Sequence, residues 1–203
     1  MHREILTKEQ YALLPLVKKF RKNFGLVGGT AIALHIGHRE SIDFDMFSPE
    51  EFSNANIRRV FASAGKKIKS IRALTGQFTF IVDEVHLTFF RFPYPIEYTE
   101  SFEDVLRMPT LITLAAMKAF ALGQRSKWKD YVDMYFILRG FHSIEEISKK
   151  GEELFEDEFN AKLFRQQLSY FEDINYSEEV TYKEGFEVSN EEVRHALIEY
   201  SIS

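Results

Sequence analysis

A chain of 203 residues, 45% of them hydrophobic and including 20 Phe and 9 Tyr, can bury a core and fits one domain or a domain with a helical extension. A formal net charge of -5 excludes a wholly basic surface, so any nucleic-acid contact has to use a local patch. The absence of cysteine excludes disulfides, thiolate zinc sites and thiol nucleophiles. The N-terminal MHREILTKEQ lacks a signal-peptide pattern and no apolar run approaches a membrane span, which reads as a cytoplasmic protein without a membrane partner.

In chain order, Tyr11, Leu14, Leu16, Val17 and Phe20 recur at helical spacing after Thr7, which has Gln10 three residues on, and this predicts a capped helix over 7–20. FGLV before Gly28-Gly29, then Thr30 to Ile36 and Gly37, reads as strand, glycine turn and helix. Ile42-Asp43-Phe44-Asp45-Met46-Phe47 alternates, so the pleat sends Asp43 and Asp45 to one face and Ile42, Phe44 and Met46 to the other. Ser48-Pro49-Glu50-Glu51 has the form of a helix start and predicts a helix running to about Ser63. Residues 66–74, 78–82 and 85–92 are rich in β-formers and separated by turn residues, predicting an antiparallel meander ended by Pro93 and Pro95. Residues 110–122, 128–138, 144–155 and 160–170 read as helices, and the acidic stretch from Asp173 carries no clear pattern. The expectation is an α+β fold: an α/β part over residues 1–105 and an all-helical part over 106–203, packed together.

A helix N-terminus offers unpaired N–H groups and the positive end of a dipole, and glycines let a phosphate approach that backbone. Gly28-Gly29-Thr30 has this form, although such a pair also serves as a plain tight turn. Asp43 and Asp45, about 6 Å apart on one face, repel by about 3 kcal/mol at an effective dielectric near 20. A divalent cation removes that cost, and so does open water. The short helix and loop between the two features return the carboxylates to the glycine turn, and a phosphate cradle beside a metal pair suits phosphoryl or nucleotidyl transfer.

GGTAIALHIGHRESIDFDMFS resembles the glycine-turn and D-x-D signature of the polymerase-β-like minimal nucleotidyltransferases, and is closer to their AbiEii toxin-type branch. Leu114-Ala-Ala-Met-Lys118 and Arg125-Ser-Lys127-Trp-Lys129-Asp130-Tyr-Val-Asp133 are similar to that branch's later motifs, so the resemblance covers roughly residues 24–140. It implies a nucleotidyltransferase-fold mixed or antiparallel sheet with flanking helices. It further implies that Asp43 and Asp45 hold Mg²⁺ or Mn²⁺, that Gly28, Gly29, Thr30 and Lys129 contact an NTP, and that Lys118 and Asp130 complete the catalytic site. The implied acceptor is tRNA or another RNA, and the implied protein partner is a cognate antitoxin.

The residues leave alternatives beside this reading. Lys118 in the apolar LAAMKAFAL is either a snorkelling stem or a phosphate-binding cation, and Asp130 and Asp133, one turn apart, can instead pair with Lys127, Lys129 or Arg125. Where the wider superfamily places a third carboxylate on a later strand, this chain has Thr88, a poor metal ligand that cannot act as a base at neutral pH. His86 on the same face is a substitute base or a surface histidine. That departure supports a second reading, a nucleotide- or protein-binding relic of the fold. His35 and His38 at the helix end read as solvated rather than zinc-binding. Trp128 and Tyr131 read either as buried or, with their neighbouring cations, as a stacking platform for a nucleic-acid end. RNA binding rests on Lys66, Lys67, Lys69, Arg72, Lys127 and Lys129. A calcium loop and a phosphatase-type D-x-D are excluded by missing ligands and flanks, and the chain is short for a two-lobed glycosyltransferase.

Overall fold

The computed structural model describes residues 1–122 and 124–203. Thr7 caps α1 (Lys8–Val17) through a complete capping box with Gln10, after which the chain tightens into a 3₁₀ turn at Lys18–Phe20. Strand β1 (Gly25–Val27) runs directly into α2 (Gly28–Ile36), so the glycine pair forms the helix's first turn instead of standing before it. Gly37, with φ +82°, closes α2 in the left-handed conformation that favours glycine.

Strand β2 (Asp43–Ser48) pairs antiparallel with β1 and, in register, parallel with β5 (Val85–Arg91). The expected meander forms from β3 (Lys69–Leu74), β4 (Gln77–Val82) and β5. Asp83 and Glu84, both at positive φ, make the two-residue β4–β5 turn. The result is a five-stranded mixed sheet in the order β1-β2-β5-β4-β3. The β2-to-β5 crossover includes α3 (Asn54–Ser63), which begins later than Ser48-Pro49 suggests. Ser48 is drawn into the sheet, its carbonyl accepting from the Phe92 amide, and strand pairing overrides the local capping signal. Ile42 departs from the alternation as well: it precedes β2 and is 47% exposed.

One face of the sheet is apolar. Phe44, Met46, Phe78, Phe80, Leu87 and Phe89 are fully buried there, with Phe89 against Phe20 and Phe24 at ring-centroid distances of 4.8 and 5.0 Å and Phe80 against Phe61 of α3 at 5.1 Å. The other face carries Asp43, Asp45 and Phe47 of β2, His86, Thr88 and Phe90 of β5, and Gln77 and Thr79 of β4. Next come a hairpin that the sequence reading lacked, β6 (Glu100–Phe102) and β7 (Leu106–Met108), and then the expected helices α4 (Leu111–Leu122), α5 (Trp128–Gly140), α6 (Ile144–Phe155) and α7 (Ala161–Leu168). A last helix, α8 (Asn190–Ile202), packs on α5 within the acidic stretch that follows Asp173. Helix α2 packs against both α4 and α5, which sets the glycine turn beside the helical residues of the site. No helix among the described residues is long and apolar enough to cross a membrane.

Phe89→Ala is expected to destabilise the fold by about 3–5 kcal/mol, because deleting a fully buried ring leaves a cavity that its aromatic neighbours fill only in part. Urea denaturation compared with the parent chain checks this.

Candidate active site

The first turn of α2 leaves its amides without helical partners, and the structure presses that turn onto β2. A Cβ on Gly28 would run into the Asp45 carboxylate, and Gly28 also has φ +72°, so only glycine fits there. A Cβ on Gly29 would meet the Arg39 guanidinium. Buried Thr30 ties the helix to the strand: its Oγ1 lies 2.8 Å from Ser41 Oγ and hydrogen-bonds the Asp43 carbonyl. The hydroxyl is therefore engaged in holding the turn.

Asp43 and Asp45 share a face of β2 and are both partly exposed. Their register neighbours on β5 are His86 and Thr88, and Thr88 Oγ1 is 3.4 Å from Thr79 Oγ1 on β4. Burial, and next the Asp43 carboxylate, push the Asp45 carboxyl up from 3.8 to about 6, against the opposing pull of Arg125 and Lys118. That penalty is what a bound cation relieves, so the donor set suits a hard divalent ion. No group of three His, Asp or Glu side chains converges as a metal cluster among the described residues; any metal ligation here rests on the aspartate pair.

The helical residues meet the site through a buried ionic hub. Asp133, fully buried, accepts two hydrogen bonds from Arg39 at 2.7 and 2.9 Å and one from His38 Nε2 at 2.8 Å, and lies 2.9 Å from Lys118 Nζ. Lys118 also donates to Asp130 at 2.6 Å, and Arg125 reaches Asp130 at 2.9 Å. Burial alone would raise both carboxyls, but Arg39 and Lys118 hold Asp133 well below its ordinary range, and Lys118 and Arg125 lower Asp130. Burial lowers His38 despite Asp133, leaving a neutral ring whose Nε2–H serves the carboxylate.

These contacts correct some expectations and decide between the open alternatives at others. Asp133 pairs with Arg39, His38 and Lys118 rather than with Lys127, Lys129 or Arg125. His38 is buried rather than solvated, and His35 turns away to the Pro109 carbonyl at 3.2 Å. Lys118 does not snorkel to water; it is 4% exposed and doubly paired. Trp128 and Tyr131 are buried, which removes them as a stacking platform. Lys127 and Lys129 converge on Glu178 at 2.5 and 3.5 Å. Glu178 belongs to a strap crossing over from Asn175, which pairs with Lys127, to Tyr182, which pairs with Arg39.

Two adjoining cavities share Asp45, Thr88, Lys118 and Arg125. The polar one, about 240 Å³, gathers Gly29, Thr30, Asp43, His86, Asp130, Lys127, Lys129 and Glu178. The other, about 390 Å³, is mainly apolar, between Phe47, Phe90 and Phe92 of the sheet side and Met117 and Phe120 of α4. The sequence reading missed Arg39, Glu178 and the aromatic cavity. A charged His-Arg-Glu run beside a strand was the available signal for Arg39; none pointed to Glu178, which reaches the site from 48 residues beyond Asp130.

A glycine-led helix N-terminus pressed on a strand-borne D-x-D pair in a mixed sheet defines the nucleotidyltransferase fold. The model of the nucleotidyl transferase AbiEii toxin of type IV toxin–antitoxin systems matches residues 16–197. An uncharacterized protein of Aquifex aeolicus (strain VF5) is 30% identical over 175 residues, 83% of this chain and 84% of its own length. Among solved structures, the nucleotidyltransferase toxin MenT4 of Mycobacterium tuberculosis has a TM-score of 0.62 at 12% identity, with 95% of this chain and 81% of that one covered. JHP933 of Helicobacter pylori has a TM-score of 0.58 at 15% identity, with coverage of 97% and 92%. The chain belongs to the AbiEii nucleotidyltransferase toxin family.

Two outcomes follow from the electrostatics. Asp133→Asn leaves Arg39 buried without its counter-charge and Lys118 with Asp130 alone, and is expected to cost about 3–5 kcal/mol of stability, read by denaturant unfolding. Because the folded protein holds the Asp45 proton up to about pH 6 and the unfolded chain releases it near 3.8, metal-free stability falls as pH rises through that window. Asp45→Asn lacks this loss, so in chelator at about pH 8 it is expected to be more stable than the parent by on the order of 1–2 kcal/mol, with the difference vanishing below about pH 4. Unfolding curves at the two pH values test the sign.

Proposed function

We propose that this chain transfers a nucleoside monophosphate from an NTP, with Mg²⁺ or Mn²⁺, to a hydroxyl of tRNA or another RNA, as a cytoplasmic toxin controlled by a cognate antitoxin. The observation that carries the reading is the packing of Gly28 directly on the Asp45 carboxylate, which sets free helix amides beside the aspartate pair. Asp43 and Asp45 would hold the metal, which when bound neutralises phosphate charge and favours attack by a hydroxyl. The amides of Gly28, Gly29 and Thr30 bind phosphate oxygens. Lys118 and Asp130 form the site's fixed charged wall, and Lys129 adds a cation at the mouth. In this reading residues 1–105 supply the metal and phosphate groups and residues 106–203 supply the wall.

An acceptor path is supported by the sheet register: Asp45, Thr88, Thr79 and Arg72 stand side by side across four strands, ending at the basic edge strand β3 with Lys69. Of the remaining cations considered for RNA, Lys66 is paired with Asp83, and Lys127 and Lys129 with Glu178.

The position of Thr88 beside Asp45 favours one second reading, in which a hydroxyl in place of a third carboxylate leaves Mg-NTP binding without transfer. Incubating the chain with each labelled NTP, divalent metal and bulk tRNA separates the two. Label in RNA that falls at least about 100-fold in Asp45→Asn supports the transferase. Binding of NTP without label in any RNA supports the relic. Thr88→Asp is expected to raise the transfer rate; an unchanged or lower rate would remove Thr88 from the third-ligand position.

A further inference from the structure

The face of the sheet that bears the aspartates carries two parallel rows of side chains. The first is Asp45, Thr88 and Thr79; the second, displaced by two residues along each strand, is Phe47, Phe90 and Gln77. Two residues of strand span about 6.6 Å, and the second row forms the floor of the apolar cavity. Phe47 and Phe90 lie 5.2 Å apart between ring centroids, and both are only partly buried. Met117 and Phe120 of α4, also partly buried, form the facing wall. Partly exposed aromatic and sulfur-bearing side chains lining a cavity of about 390 Å³ fit a flat apolar ring. An aliphatic tail would not need the amide of Gln77, which stands where the aromatic row ends, or that of Gln124, which also lines the cavity.

We propose that this cavity is the nucleobase site of the chain and that Gln77 reads the edge of the base while Phe90 stacks on it. The inference rests on the transferase reading for the phosphate end, since the two cavities join at Asp45, Thr88, Lys118 and Arg125. A polyanion on the aspartate row, linked to a ring on the aromatic row, has the shape of a nucleotide. A carboxamide presents one donor and one acceptor side by side. Held in one orientation, it pairs with the amino-bearing bases adenine and cytosine or with the oxo-bearing bases guanine and uracil, but not equally with both. Base choice is therefore assigned to a β4 side chain outside every motif that carries the family resemblance.

The test is equilibrium binding of ATP, CTP, GTP, UTP and inorganic tripolyphosphate, each with Mg²⁺, to the parent chain, Gln77→Leu and Phe90→Leu. In the parent, the preferred NTPs are expected to bind more tightly than tripolyphosphate, with the amino and oxo pairs differing about fivefold or more. Gln77→Leu narrows that difference while tripolyphosphate affinity stays constant. Phe90→Leu weakens all four NTPs about tenfold, again with constant tripolyphosphate affinity, which also shows that the variant is folded. If tripolyphosphate binds the parent as tightly as every NTP, or the base ranking survives in Gln77→Leu, the base site is wrong while the phosphate site stands. If neither tripolyphosphate nor any NTP binds, the base site and the functional reading both fail.

Discussion

The buried carboxylate of Asp133 is the interaction on which the site depends. It joins three stretches that are distant in sequence: the loop after α2 through His38 and Arg39, the middle of α4 through Lys118, and α5 itself. Buried charges are tolerated only when paired and hydrogen-bonded, and here each cation finds a carboxylate and each carboxylate finds cations. Arg39 in turn lies against Gly29, so the hub fixes the glycine turn from beneath. Its role is geometric: it holds the helix N-terminus, the aspartate strand and the helical wall in one relation.

Around that fixed frame the Asp45 carboxylate remains under electrostatic tension. Asp130 and Asp133 are satisfied by fixed cations and stay ionised, whereas Asp45 is destabilised by burial and by Asp43. Asp130 and Asp133 are thus neutralised by the protein, whereas Asp45, beside Asp43 on the same face, is left for something else to neutralise. A carboxylate left in that condition, with a second one beside it at a helix N-terminus, is suited to a cation carrying phosphates.

Much of this was legible in the sequence, and the failures have physical causes. The Thr7 cap, the β3–β5 meander and the first four C-terminal helices follow from local patterns, and the structure contains each of them. The D-x-D alternation was readable because a strand's pleat has a period of two, yet Ile42 lies outside the strand, where alternation no longer applies. Ser48-Pro49 looked like a helix start because capping is local, while β2's pairing with β5 is not. The partners of Asp133 and the strap bearing Glu178 are contacts across long sequence separations, for which spacing along one helix gives no guide. Helix α8 escaped notice because Val193 and Leu197 are among its few buried side chains, giving a weak stripe in an acidic stretch.

In the proposed reading Asp43 and Asp45 bind a divalent cation together with a nucleotide held at the α2 N-terminus. Electron paramagnetic resonance of Mn²⁺, titrated into the chain with and without a non-hydrolysable NTP analogue, tests it most directly. Mn²⁺ binding is expected to tighten with the analogue and to be lost when Asp43 and Asp45 are both changed to Asn. Equal Mn²⁺ binding by the parent and the doubly substituted chain, with the analogue present, would contradict it.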